Sequence, residues 1–111
     1  MIRFKPEVRI GLLTSQLYDV LFYASVWSCR TRLDVEINSV EDGPGVHMAS
    51  SLHYSGLAVD LDTAGDKEGD TRALAEYLRR ALPTGYDVVF EGDHVHVEYD
   101  MKRPPLRKAV T

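Results

Sequence analysis

Hydrophobic residues recur at helical spacing in two parts of the chain. The first part runs from Ser15, which can cap a helix, to about residue 30, with an apolar stripe of Leu17, Val20, Leu21, Ala24 and Trp27. The second starts at residue 70 or 71 and ends near residue 82, because Pro83 and Gly85 stop a helix there. Its stripe consists of Leu74, Tyr77, Leu78 and Ala81. We expect both stripes to pack into a core.

Four other segments are typical of β-strands. Apolar and polar residues alternate over 33–37 and 57–62, and two further strands are predicted over 86–90 and 94–99. Residues 41–45 and 62–70 have the composition of loops, and the short link at 91–93 suits an antiparallel hairpin. The order of elements predicts an α+β fold, with a small antiparallel sheet and helices packed on one face.

Length and charge limit the possible partners. The chain has 111 residues, enough for one domain over 1–111, with 102–111 expected to be a weakly ordered tail. Its formal net charge of −4 argues against nucleic acid as the main partner, because a phosphate backbone attracts basic surfaces. No apolar stretch is long enough for membrane insertion. The oligomeric state stays open.

Two further expectations concern compartment and cysteine chemistry. The single cysteine, Cys29, allows no internal disulfide and lies in an apolar helical pattern, so we expect a buried structural thiol. The first six residues lack the apolar run of a secretory signal, so we expect synthesis in the cytoplasm without a signal peptide.

The polar residues that stand out are histidines and acids on predicted strands. His94 and His96 are two positions apart, so their side chains should share one face, and Glu98 continues that row. Asp60 interrupts another apolar strand, seven residues after His53. Such groups are costly to bury dry but suit a cleft or a zinc ion. Spacing alone leaves the alternative that they are ordinary exposed polar residues.

Two segments resemble a known family. Residues 51–60, Ser-Leu-His-Tyr-Ser-Gly-Leu-Ala-Val-Asp, resemble the Ser-x-His-x-x-Gly-x-Ala-x-Asp signature of the zinc D-Ala-D-Ala carboxypeptidase superfamily. That superfamily also includes bacteriophage cell-wall peptidases and the hedgehog signalling domain. Residues 93–97, Asp-His-Val-His-Val, resemble its second signature. Both segments occur in the family's order, with a predicted helix between them.

The resemblance implies a zinc ion held by His53, Asp60 and His96. It implies that His94 stabilises a developing oxyanion. His47 matches a histidine that precedes the first signature in hedgehog-like members; it either plays a similar part or is an ordinary loop residue.

Two carboxylates compete for the role of general base. Asp93 lies three residues before His96 and matches the family pattern, while Glu91 lies five before it and has a longer side chain. Glu98 is expected to orient an imidazole. One departure is that residues 48–50 hold no arginine, which family members often carry for a substrate carboxylate or carbonyl.

The function implied by the resemblance is a zinc-dependent metallopeptidase. It would cleave peptidoglycan stem peptides or cross-links at the cell wall, as a D-Ala-type carboxypeptidase or an endopeptidase in a phage-endolysin-like setting. The alternative is a non-catalytic, hedgehog-like zinc-binding module. A metal-free structural protein would leave the polar row of the last strand unexplained.

Overall fold

A computed structural model describes residues 1–8, 15–42, 55–63 and 68–100. It contains five strands and two helices in the order β1 (Ile2–Phe4), α1 (Ser15–Thr31), β2 (Val35–Asp42), β3 (Ser55–Thr63), α2 (Glu68–Ala81), β4 (Tyr86–Phe90) and β5 (Val95–Asp100). The single-domain prediction over 1–111 stays a prediction, and the proposed tail at 102–111 lies outside the described residues. No helix in the described ranges is long and apolar enough to cross a membrane.

The strands form one five-stranded sheet in the order β1-β2-β3-β5-β4. β1 pairs parallel with β2, and the other neighbouring pairs are antiparallel. The α+β class with two helices packed against a sheet is therefore confirmed, and β1 makes the sheet mixed. The last strand does form a hairpin with the strand at 86–90, as the short link predicts.

The helices cover one face of the sheet and enclose the core with it. The predicted stripes are largely buried: Leu17, Val20, Ala24 and Trp27 from α1, and Leu74 and Leu78 from α2, pack with the sheet residues Val35, Ile37, Leu57, Val59, Leu61, Val88, Val95 and Val97. Because strand side chains alternate between faces, the intervening residues point to the opposite, outer face.

The prediction of a buried thiol is wrong, because Cys29 is exposed. Successive residues of an α-helix point about 100° apart, so Cys29 points away from the buried side of α1, which carries Trp27 and Ser28. Ser28 fills the inward place, where its hydroxyl donates to the Leu33 carbonyl oxygen at 2.6 Å.

Several element boundaries differ from the prediction: β3 extends to Ser55 and Thr63, and α2 already begins at Glu68. β2 continues through Glu41 and Asp42, although their composition predicts a loop, because both pair with β3. β5 begins at Val95 and not at His94. The His94 carbonyl oxygen instead accepts from the Glu91 amide at 2.8 Å and closes the turn after β4. Within that turn Gly92 has φ 93°, a conformation that glycine adopts without strain.

A register shift in β2 decides which of its side chains lie beside the acidic residues of β3 on the outer face of the sheet. Ile37 faces Leu61, but Ser39 faces Asp60, so Asn38 is the extra residue of a β-bulge. The shift sets Ser39 directly opposite the acidic residue of β3. It also leaves Asn38 beside the next acidic residue, because its Nδ2 donates to Asp62 Oδ2 at 3.1 Å.

Tyr86 connects the hairpin to α1. Its hydroxyl donates to Asp19 Oδ2 at 2.9 Å, and the Gln16 carbonyl oxygen lies 3.2 Å away. Burial and the hydrogen bond to Asp19 raise the pKa of Tyr86 well above its ordinary value. Its ring also makes an edge contact with Tyr99, at 4.9 Å between centroids.

Candidate metal centre

Asp60 and His96 meet on the outer face of the sheet. They are direct partners in the β3–β5 register, which places their side chains within reach of each other. His96 Nδ1 lies 2.7 Å from Asp60 Oδ1. The two predicted metal ligands that the structure describes are thus in contact, although 36 residues separate them along the chain.

A second carboxylate holds the other side of the same ring. His96 Nε2 lies 3.2 Å from Glu98 Oε1, two residues further along β5. Ser39 Oγ donates to Asp60 Oδ2 at 3.3 Å, so Asp60 is also fixed from β2. The side chains of His96, Asp60 and Glu98 are 27%, 33% and 28% exposed, which leaves the cluster half-buried and open to solvent.

The electrostatics of His96 follow from these contacts. Burial acts to lower the pKa of the imidazole, but the hydrogen bonds to Asp60 and Glu98 outweigh it and raise the pKa above its ordinary value. Without a metal, the ring is best satisfied as an imidazolium that donates to both carboxylates. A metal ion that binds Nδ1 must displace that proton.

His94 is held by both candidate bases. Its Nδ1 lies 2.6 Å from Asp93 Oδ1, and its Nε2 lies 2.9 Å from Glu91 Oε1. The hydrogen bond to Asp93 raises the pKa of His94, and the charge of Asp60 adds to this effect. The same bond lowers the pKa of Asp93, whose side chain is 91% exposed. The predicted catalytic residues that the structure describes therefore lie together at the end of the hairpin.

The remaining predicted site residues, His47 and His53, lie outside the described residues. Within the described ranges, no three His, Cys, Asp or Glu side chains are grouped so that they could hold a metal ion. Asp60 and His96 supply two donors of the predicted set of three. Their chemistry fits zinc, which binds carboxylate oxygen and imidazole nitrogen. Glu98 on the far ring nitrogen is the arrangement that commonly orients a metal-bound histidine.

The residues of β2 beside the site are not predicted by the sequence. Ser39 contacts Asp60, and Asn38 contacts Asp62, while Asn38 Oδ1 and Asp62 Oδ1 are buried without a hydrogen-bond partner in the described structure. Alternation places Asp62 on the face of Asp60 in the sequence already. No comparable signal marks Ser39 or Asn38, because the bulge that brings them there has no clear sequence signature.

Comparison with known proteins decides between the branches of the superfamily. A sequence profile of the hedgehog amino-terminal signalling domain matches residues 14–99. The chain belongs to this family. It is 31% identical over 104 residues to the Indian hedgehog B protein of Danio rerio. This alignment covers 89% of this chain and 24% of that protein. The chain thus spans about a quarter of the length of that hedgehog relative. No solved structure gives a significant match.

This finding corrects three expectations. The chain is hedgehog-like, and nothing supports the D-Ala-D-Ala carboxypeptidase branch. The assignment as a phage-type peptidoglycan peptidase and the peptidoglycan partner are wrong, because the matched family is a signalling domain. The expected cytoplasmic origin without a signal peptide and action on a cell wall are also wrong, since hedgehog signalling proteins are secreted. The error arises because the resemblance rests on a signature common to the whole superfamily, so residues 51–60 alone do not separate its branches.

Proposed function

We propose that this hedgehog-family domain is a zinc-binding module that works in signalling by binding another protein. His53, Asp60 and His96 hold the zinc ion. The observation that carries the proposal is the position of His96, whose two ring nitrogens face Asp60 and Glu98 at 2.7 and 3.2 Å. Nδ1 points to Asp60, the proposed second zinc ligand, and Nε2 is held by its hydrogen bond to Glu98.

Zinc bound by Asp60 and His96 would link β3 to β5. The two residues are register partners, so a shared metal ion connects the strands at the middle of the sheet. Binding energy at such a site adds to the free energy of unfolding. We therefore expect the zinc-loaded domain to unfold at a higher temperature than the metal-free domain.

The test compares two histidine variants. His96→Ala should lose zinc and the thermal stabilisation that zinc provides, because it removes a ligand. His94→Ala is the matched control, since it removes a histidine that contacts Asp93 and Glu91 and should keep one zinc ion per chain. Zinc content is measured by atomic spectroscopy, and affinity by calorimetry. Full zinc occupancy in His96→Ala would overturn the assignment.

The signalling part of the proposal rests on family membership. We expect the zinc-loaded chain to bind a protein at the surface of responsive cells. The test is displacement of labelled Danio rerio Indian hedgehog B protein from cells that bind it, with unlabelled chain as competitor. Competition that weakens when zinc is removed supports the proposal. If saturating zinc-loaded chain displaces nothing, a shared partner is excluded.

A metalloenzyme stays a second candidate, with a substrate other than peptidoglycan. It is favoured by the contact of His94 with both Glu91 and Asp93, which collects acid–base groups within the electrostatic influence of Asp60. Zinc supplies an activated water in such enzymes. Chelator-sensitive hydrolysis of a simple activated ester, lost on Glu91→Gln or Asp93→Asn with zinc retained, would favour the enzyme. If the zinc-loaded chain hydrolyses no ester, the enzyme is excluded and the binding module is the better assignment.

A further inference from the structure

The outer surface of α1 carries large aromatic side chains in contact with water. Tyr18 is 58% exposed and Phe22 is 47% exposed, and Cys29 is exposed on the same side. Asp19 and Arg30 are the charged residues of this helix. The solvent face of an amphipathic helix normally carries several charged side chains, so this face needs an explanation.

The exposed residues form one straight row. Ser15, Tyr18, Phe22, Ser25 and Cys29 are separated by three, four, three and four positions, which is the spacing of the contact positions of a coiled coil. We call this row the outer stripe of α1. The rings of Tyr18 and Phe22 already lie side by side, with 6.2 Å between centroids and planes 20° apart. The outer stripe is thus an ordered surface of the right shape for another helix.

We infer that the outer stripe is a self-association surface, on which α1 of a second copy packs antiparallel. The large side chains, Tyr18 and Phe22, lie in the N-terminal half of the stripe, and the small ones, Ser25 and Cys29, lie in its C-terminal half. In an antiparallel pair, Phe22 faces Ser25 of the second copy and Tyr18 faces Cys29 of the second copy. Because each large side chain then packs against a small one, the two rows can interdigitate. The two-fold axis that relates the copies repeats each contact.

The charges of the helix favour the same orientation. Asp19 and Arg30 are eleven positions apart, so they lie about 20° apart around the helix, on one flank of the outer stripe. Antiparallel packing brings this flank of one copy against the same flank of the other, with each Asp19, whose Oδ2 already accepts from Tyr86 of its own chain, near the opposite Arg30. Parallel packing would place the two flanks on opposite sides of the contact, where these charges cannot meet. The second copy is therefore complementary in both size and charge.

One helix pair makes a small interface, so we expect a weak, reversible dimer. Sedimentation equilibrium of the full chain, kept reduced, from about 10 to about 500 µM should show a dimer fraction that rises with concentration. Phe22→Lys should weaken association by about tenfold or more, because it places a charge in the centre of the contact. Ser25→Lys should have the same effect, because a long charged chain replaces the small side chain that faces Phe22.

Val89→Lys is the matched control. Val89 is 45% exposed but lies on the outer face of the sheet, opposite His96 and away from α1, so this variant should associate like the wild type. Circular dichroism checks that each variant keeps its helices. A wild type that stays monomeric over this range would overturn the inference, and so would equal association of the Phe22→Lys and wild-type chains.

Disulfide trapping tests the orientation. In the antiparallel pair the two Cys29 residues are about 16 Å apart along the helix axes, too far for a disulfide, which needs Cα atoms within about 7 Å. Tyr18→Cys places a thiol against Cys29 of the second copy. A mild thiol oxidant, which accepts the two hydrogen atoms, should therefore cross-link this variant far faster than the wild type. Equally fast cross-linking of the wild type through Cys29 would show parallel packing and refute the antiparallel dimer.

Discussion

Replacing Glu98 by glutamine should weaken zinc binding while leaving the metal ligands intact. Glu98 contacts the Nε2 atom of His96, the ring nitrogen on the side away from Asp60. A carboxylate in this position fixes the orientation of the ring and makes the opposite nitrogen a better donor to a metal ion. An amide oxygen keeps the shape and can still accept a hydrogen bond, but it lacks the charge.

The magnitude follows from the geometry of that contact. Loss of such a partner typically lowers metal affinity by about 10- to 100-fold. The distance of 3.2 Å is long for a charge-assisted hydrogen bond, and the Glu98 side chain is 28% exposed. We therefore expect the lower end of the range, about tenfold, which corresponds to about 1.4 kcal/mol of binding free energy.

Calorimetric zinc titration at about pH 8 measures this effect, in two buffers of different ionisation enthalpy, so that the proton that zinc displaces from His96 is accounted for in both proteins. Asp87→Asn is the control, because Asp87 faces Glu98 across the β4–β5 pair and its loss removes the same charge from the same face. Unchanged affinity in Glu98→Gln would refute the anchoring role. An equal loss in both variants would show that only the net negative charge matters.

Two predictions concern stability, measured by chemical denaturation. Gly85 and Gly92 both have positive φ, 110° and 93°, but a Cβ on Gly85 would lie 2.8 Å from Tyr99 Cε1, whereas a Cβ on Gly92 meets nothing within 4 Å. Gly92→Ala should therefore cost about 1–2 kcal/mol and Gly85→Ala about 1–3 kcal/mol more; equal costs would contradict the steric argument. Because burial and the bond to Asp19 raise the pKa of Tyr86, the folded state holds the phenol proton more tightly than the unfolded state. The contribution of Tyr86 to the free energy of unfolding is therefore complete below about pH 10, and it declines as the pH rises above that value. Tyr86→Phe should remove this decline, and an identical alkaline loss in both proteins would show that Tyr86 is not its source.

The elements that the sequence predicts well are those with local signals. α1 and α2 follow from apolar stripes and stop signals within their own residues. β1 has three residues, too few for a periodic pattern, and it exists because its backbone pairs with β2. Glu41 and Asp42 have turn-like composition, yet pairing with β3 keeps them in a strand. The exposure of Cys29 is hard to predict, because large apolar residues occur on both sides of α1 and the sequence does not mark which side faces solvent.

The residues of the candidate site also separate into those with a local sequence signal and those without one. Asp60, His96 and the pair of acids around His94 follow from the motifs, and the contact between Asp60 and His96 comes from a register that joins distant strands. Ser39 carries no such signal, because its position depends on a bulge. The prediction of function fails for a different reason: the two short segments that it rests on resemble a whole superfamily, whereas the hedgehog profile matches over residues 14–99.

The order of strands has a consequence for synthesis on the ribosome. β5 is the last described strand along the chain, but it lies between β3 and β4 in the sheet. Until β5 has left the ribosomal exit tunnel, β3 and β4 are not neighbours, and Leu61 lacks its partner Val95. β1, β2 and β3 can pair earlier, but the complete five-stranded sheet forms only after nearly all of the described chain has been made. A nascent chain arrested before Val95 should be digested by protease, and one extended well past Asp100 should resist it.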